Sequence, residues 1–306
     1  MGAETVSRIV NGRKVEEVVI KGTGIQHRTP NRIAAIIRGT QNIFLVSIVT
    51  KLQYYVEQNG FQFLLHYIDD RENELLAARR ICADKSVKAV IFLGGNPKGR
   101  EDELRSIQIP CVFSTQNASD IKLPNVFSVG VDDRAAAKAA VDYLFQKGHR
   151  NIAVIGGSLE KENSTYYRWM GVKDSFEQHH RAFEDTMYFT ANFSMSSAHE
   201  AMRRALISGV GFTAVFALSD AMAIGAARAA LDSGRKVPGD VSIIGYDGIE
   251  MTQYYNPPIT TIRQPIGDIA RASVELLMRG LSQMEVHSHI TVPFELVEGR
   301  SVKTLH

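Results

Sequence analysis

The stretch DDRAAAKAAVDYLFQKGHRNIAVIGG (132–157) contains a helix, its stop signal and a strand in direct succession. Asp132 and Asp133 bring carboxylates to the free N–H groups that open a helix. Small and apolar residues run from Ala135 to Gln146, and Gly148 can take the left-handed conformation that ends such a run. The continuous apolar segment IAVI (152–155) marks a strand covered on both faces, and the glycines at 156 and 157 let its end turn tightly. A helix feeding directly into a buried strand is half of a βαβ unit, which points to an α/β protein with parallel sheets.

Outward from this unit, the same rhythm repeats on both sides. Before it, strands are expected at 32–37, 61–66, 87–93 and 111–114, with helices at 43–59 and 72–85. Leu45, Ile48, Val49, Leu52 and Val56 recur at three- and four-residue steps, which places one face of the first helix on a sheet. After it, helices at 166–178, 197–208 and 221–233 alternate with strands at 187–189, 214–217 and 241–245. The remainder reads as strand 261–263, helix 267–280 and strands 290–292 and 294–298. The doubled rhythm predicts two doubly wound lobes: residues 31–130 plus 262–290, and residues 131–261 plus 291–306. Repeated crossings between them would form a hinge around a cleft.

Composition narrows the function. With 306 residues, 44% hydrophobic, the chain can bury one large core or two ordinary ones. A formal net charge of +2 lacks the basic excess that announces nucleic-acid binding, so any DNA contact must be local. Cys82 and Cys111 read as reduced thiols in a cytoplasmic protein. The sequence shows neither an export signal nor a run of about 18 apolar residues, so no membrane partner is expected.

Catalytic and cofactor signatures are missing. Gly22 and Gly24 have the first two glycines of a dinucleotide turn without the third, and no phosphate loop, nucleophile elbow or His-Glu-x-x-His follows. His179-His180 and the pair His287 and His289 lack partners at ligand spacing, so neither metal nor cofactor is expected. Polar residues do gather where predicted strands end, which is where open α/β sheets bind ligands. These are Arg38, Thr115, Ser219 with Asp220, Asp247 and Gln264. Ser219 and Asp220 are also ordinary helix caps.

Three segments then carry a specific resemblance. VGVDD (129–133) with GHRNIAVIGG (148–157), FALSDAMAIGA (216–226), and VSIIGYD (241–247) followed by PPITTIRQ (257–264) match, in order and spacing, the lactose-repressor family of bacterial transcription regulators. The resemblance spans residues 31–306. It implies lobes of the type I periplasmic-binding-protein plan, no enzymatic activity, a homodimer, and a sugar or related effector held between the lobes. Carried onto this sequence, the implied contacts are Asp247, Arg168, and Arg38 with Phe44. Ser219 stands where many members have asparagine, and Thr115 where an acidic residue can occur. Asp247 could accept bonds from adjacent hydroxyls, and Phe44 could offer a face to a sugar ring. The forked donors Arg38 and Arg168 lead to the expectation of an acidic or phosphorylated effector, unless one of them pairs with Asp247 or Asp69.

The first thirty residues resemble only part of the family's helix-turn-helix. AETVSRIVNG (3–12) is similar to its recognition helix, which implies operator DNA as partner, with Ala3, Glu4 and Arg8 facing bases and Thr5 and Ser7 nearer phosphates. The supporting first helix is missing, so this incomplete segment is not expected to bind DNA well as written. A sugar-transport protein and a doubly wound enzyme remain rival readings.

Overall fold

A computed structural model describes residues 3–10, 13–20, 31–39, 42–69, 72–159, 163–282 and 288–305, the first two segments as backbone alone. The chain divides into the units Met1–Pro30 and Asn31–His306.

In the first unit, β1 (Ala3–Val10) pairs antiparallel with β2 (Arg13–Ile20), Val10 opposite Arg13. This backbone differs from the recognition helix implied for residues 3–12. Thr5, Val6, Ile9 and Val10, answered by Val15, Val18, Val19 and Ile20, favour strands, and the intervening Asn-Gly dipeptide is a strong hairpin signal. The side chains proposed to contact DNA, those of Ala3, Glu4, Thr5, Ser7 and Arg8, lie outside the described residues. So do the Gly22–Gly24 motif and His287.

The larger unit begins with β3 (Arg32–Arg38), α1 (Ile43–Gln58), β4 (Gln62–Ile68), α2 (Glu74–Ile81), β5 (Val87–Leu93), α3 (Glu101–Arg105), β6 (Cys111–Ser114) and β7 (Val126–Gly130). It continues with α4 (Asp133–Gln146), β8 (Ile152–Gly156), α5 (Ser164–Gln178), β9 (Tyr188–Thr190), α6 (Met195–Ile207), β10 (Ala214–Ala217) and α7 (Asp220–Asp232). Then come β11 (Ser242–Asp247), α8 (Met251–Tyr254), β12 (Thr260–Arg263), α9 (Ile266–Ser282), β13 (His289–Thr291) and β14 (Glu295–Val297). The strands build two six-stranded sheets, ordered β13-β7-β6-β5-β3-β4 and β14-β12-β11-β10-β8-β9, parallel except for β14. The α/β expectation of two doubly wound lobes therefore holds.

The order is the same in both sheets. In each, the second strand to form lies outside the first, and the later strands add on the other side. The winding direction thus reverses between β3 and β5 in one lobe and between β8 and β10 in the other, and such reversals open a crevice at the carboxyl ends of strands. The chain passes between lobes after β7, between β12 and α9, and between β13 and β14. The second of these passages follows Arg263, so β12 stays whole within its sheet and is not divided at residue 262.

Local chemistry explains the placement. On β3, Ile33, Ala34, Ala35, Ile36 and Ile37 are all buried, as a parallel strand covered on both faces requires. Asn42 caps α1 by accepting the Phe44 N–H at 3.1 Å, and the stripe predicted on this helix is buried. Each large apolar side chain so buried contributes about 1.5–3 kcal/mol. Asp132 caps α4 by accepting the Ala135 N–H at 2.9 Å, and Gly148 follows with φ 91°. The strand β7 (VFSVG) and the short helix α3 add to the elements expected from the sequence.

Glycine sets one helix–helix approach. A Cβ on Gly171 of α5 would collide with the Arg134 carbonyl of α4. Gly171→Ala should therefore push these helices apart and lower unfolding free energy by about 1–3 kcal/mol in denaturant titration, despite alanine's better helix propensity. Unchanged stability would show that α4 and α5 yield without cost.

Candidate functional site

A cavity of about 560 Å³ lies between the lobes. The first lobe contributes the ends of β3 and β5 and the start of α1; the second contributes the loop after β8 and the first turns of α5 and α6. Both winding reversals thus face one space.

Arg38, Phe44, Thr115, Arg168 and Asp247 all line it. Ser219 and Gln264 do not. Ser219 is buried as the cap of α7, accepting the Met222 N–H at 3.2 Å. Gln264 stands behind Asp247 and donates from Nε2 to its Oδ1 at 2.8 Å. Sequence placed both near strand ends correctly but could not tell which way each side chain turned.

Arg168, on α5, is the buried centre of the site. Its Nε donates to Asp133 Oδ1 at 2.8 Å, its Nη1 donates to the Leu218 carbonyl at 2.6 Å, and Nη1 lies 3.7 Å from Asp247 Oδ1. Its guanidinium also stacks 3.7 Å above the Tyr246 ring, whose hydroxyl donates to the same Asp133 oxygen at 2.8 Å. Burial opposes the charge, but Asp133, Tyr246 and Asp247 more than offset it, and the pKa of Arg168 is raised. The pairing of Arg168 with Asp247, held open by the sequence, is therefore present.

Arg38 is likewise engaged. Its Nη2 donates to the Glu72 carbonyl at 2.6 Å and to Glu74 Oε2. Glu74 is buried at the start of α2, and its other oxygen accepts from Arg100 Nη1 at 2.6 Å. Both cavity arginines thus already share carboxylates of the protein.

Two cavity residues hold unusual backbones. Thr115 has φ 73° and Asp247 φ 115°, a region that a β-branched residue or a non-glycine rarely occupies. Such conformations persist only where surrounding contacts enforce them. Thr115 N–H donates to the Val129 carbonyl at 2.6 Å, and the Asp247 carbonyl accepts from the Gln264 N–H at 3.0 Å.

Sequence reasoning missed most of the amide and hydroxyl lining: Asn42, Asn96, Asn163, Asn192 and Ser194. A signal existed. Asn42, Asn163 and Ser194 are helix caps immediately downstream of strand ends, so capping and cavity lining coincide. At the rim, Gln116 Nε2 donates to Ser164 Oγ at 2.7 Å, and Lys98 bonds to the Tyr167 hydroxyl, joining the lobes by side chains. Among the described residues no cluster of His, Cys, Asp and Glu suits a metal, and no helix is long and apolar enough to cross a membrane.

Comparison with known proteins gives these features a family. Residues 141–302 match the periplasmic binding protein-like domain. The HTH-type transcriptional regulator MalR of Clostridium butyricum is 30% identical over 97% of this chain and 95% of its own length. The chain belongs to the lactose-repressor family. Catabolite control protein A of Priestia megaterium is 27% identical over 94% of the chain and 91% of its own length. Among solved structures, a putative LacI-family transcriptional regulator from Sanguibacter keddieii superposes with TM-score 0.77 at 25% identity, covering 89% of this chain and 98% of that one. The transcriptional regulator CelR in complex with cellobiose gives TM-score 0.77 at 25% identity, covering 89% and 86%. Lactose-repressor family members are transcription regulators and not enzymes, which removes the enzyme reading.

The buried acid of this family member should leave a pH signature. Burial raises the Asp247 pKa from 3.8 to about 7, with Arg168 and Gln264 acting in the opposite direction. A carboxyl with a higher pKa folded than unfolded binds more protons in the native state, so its contribution to stability falls as pH rises from about 4 to 7. Asp247→Asn removes this titration. The unfolding free energy of the variant minus that of the wild type should therefore increase across that window in denaturant melts. A pH-independent difference would mean that Asp247 is ionised throughout.

Proposed function

We propose that this chain is a repressor whose lobes close on a neutral, hydroxyl-rich sugar, and that closure controls its hold on operator DNA. The observation that carries this reading is the cavity lining: amides, hydroxyls and Phe44 surround Asp247, while Arg38 and Arg168 are already paired with Glu74 and Asp133. An aromatic face beside a carboxylate suits a sugar ring and its vicinal hydroxyls. An added anion would have to displace a buried carboxylate from its arginine, which is costly. This favours a neutral sugar over the acidic or phosphorylated effector expected from the arginines alone. CelR, solved with cellobiose, supports the sugar class.

In this reading Arg38, Phe44, Thr115, Arg168 and Asp247 contact the effector, with Ser219 and Gln264 behind them. Effector binding shifts the equilibrium between lobe arrangements by its differential affinity for them. In a homodimer, that shift changes the spacing of DNA-binding segments meeting half-sites roughly one helical turn apart. Operator contact is assigned to residues 1–30, with Ala3, Glu4, Thr5, Ser7 and Arg8 as candidates, and the site of action to the cytoplasm. Calorimetry with cellobiose and cellobionic acid tests the effector class. The neutral sugar should bind at least about tenfold more tightly, since leaving a buried charge unpaired costs well over 1.4 kcal/mol. Equal or tighter binding of the acid would overturn the neutral reading; no binding across a panel of neutral sugars would overturn the sugar class.

The dimer reading has its own support. Met251 and Tyr254 on α8 are exposed at 44% and 79%, and Leu231 near the end of α7 at 42%. Exposed apolar side chains of this kind suit an isologous contact with a second copy. Tyr254→Asp should shift the sedimenting species from dimer to monomer, and an unchanged dimer would exclude this face.

A further inference from the structure

We propose that Asp220 is a positioning residue of the effector site, fixing the backbone that presents Asp247 to the cavity. Asp220 opens α7 directly after its cap and is fully buried at the carboxyl ends of β10, β11 and β12. Its Oδ2 accepts the Ile249 N–H at 2.8 Å. Thr261, on β12, donates its hydroxyl to Oδ1 at 2.6 Å. Asp220 therefore ties the backbone just after Asp247 to β12.

The hold is needed because Asp247 and Gly248 have φ 115° and 76° in succession. A side chain at the first of these positions is strained, and its neighbours must enforce the conformation. Gly245 supplies the room, since a Cβ there would collide with Asp220 Oδ1. Asp220 does not line the cavity, so it acts through Asp247. Burial first, then the nearby charge of Asp247, raises its pKa well above the ordinary carboxylate range. A neutral side chain of the same shape should accordingly serve as well, its carbonyl taking the Ile249 amide and its NH₂ meeting the Thr261 hydroxyl.

The inference rests on the cavity being the effector site, and its test has one arm that needs no ligand. Carboxyl-carbon NMR of Asp247 should show a midpoint near 7 in the wild type and in Asp220→Asn, but a lower one in Asp220→Ala, where the loop opens to water. Amide exchange at Gly248 and Ile249 should accelerate in Asp220→Ala only. Should that variant fail to fold, Thr261→Val, which keeps the carboxylate but loses its outer anchor, should move both readouts in the same direction. In calorimetry, cellobiose affinity should fall at least about tenfold in Asp220→Ala and recover in Asp220→Asn. A lowered melting temperature with unchanged Asp247 titration and amide exchange would overturn the proposal. If cellobiose binds none of the proteins while the NMR and exchange results appear as expected, the choice of effector fails and the positioning role stands.

Discussion

The buried guanidinium of Arg168 is the constraint on which the rest of the cavity depends. One side chain from α5 reaches Asp133 at the start of α4, the carbonyl that precedes α7, the ring of Tyr246 and the carboxylate of Asp247. These belong to separate segments of the chain, so a single cation fixes how several strand ends and helix starts of the second lobe meet. A charge held this deep is tolerable only with every partner present, because burial costs several kcal/mol per ion and an unpaired remainder is worse. Hence the site is rigid where it is polar.

The first lobe uses a related device with the sign reversed. There a buried carboxylate, Glu74, lies between Arg38 and Arg100, and the cavity sees the flank of an ion cluster rather than an isolated charge. Both lobes then complete their walls with residues that cap helices. The same strand order produces the same reversal of winding in each sheet, and the helices beginning there bring Asn42 from one side and Asn163 and Ser194 from the other. The duplication of the fold is thus also a duplication of the ligand-facing chemistry.

Much of this was legible in the sequence, for identifiable reasons. Buried parallel strands such as IAVI carry unbroken apolar runs, and the caps Asp132 and Ser219 announce helices, so element order could be read directly. Asp247 could be placed at a strand end because Gly245-Tyr246 fixed the register. Direction was harder to read. Ser219 turned to its own helix and Gln264 to Asp247, since local hydrogen bonds decide orientation and no periodicity records them. The two arginines by themselves suggest an anion, and sequence does not record that the distant acids Glu74 and Asp133 come into contact with them.

The interleaved passages between the lobes also bear on how the molecule assembles. The edge strand β13 of the first sheet and the edge strand β14 of the second both come after α9, and Ser301 then bonds to the Ile243 carbonyl while Leu305 N–H donates to the Lys147 carbonyl. Neither sheet can acquire its last strand until the chain beyond α9 has been made, to residue 291 for β13 and 297 for β14. Contacts so far apart in sequence close slowly, and an unfinished parallel sheet exposes an adhesive edge while it waits. Completion of either lobe therefore waits on the segment that follows α9.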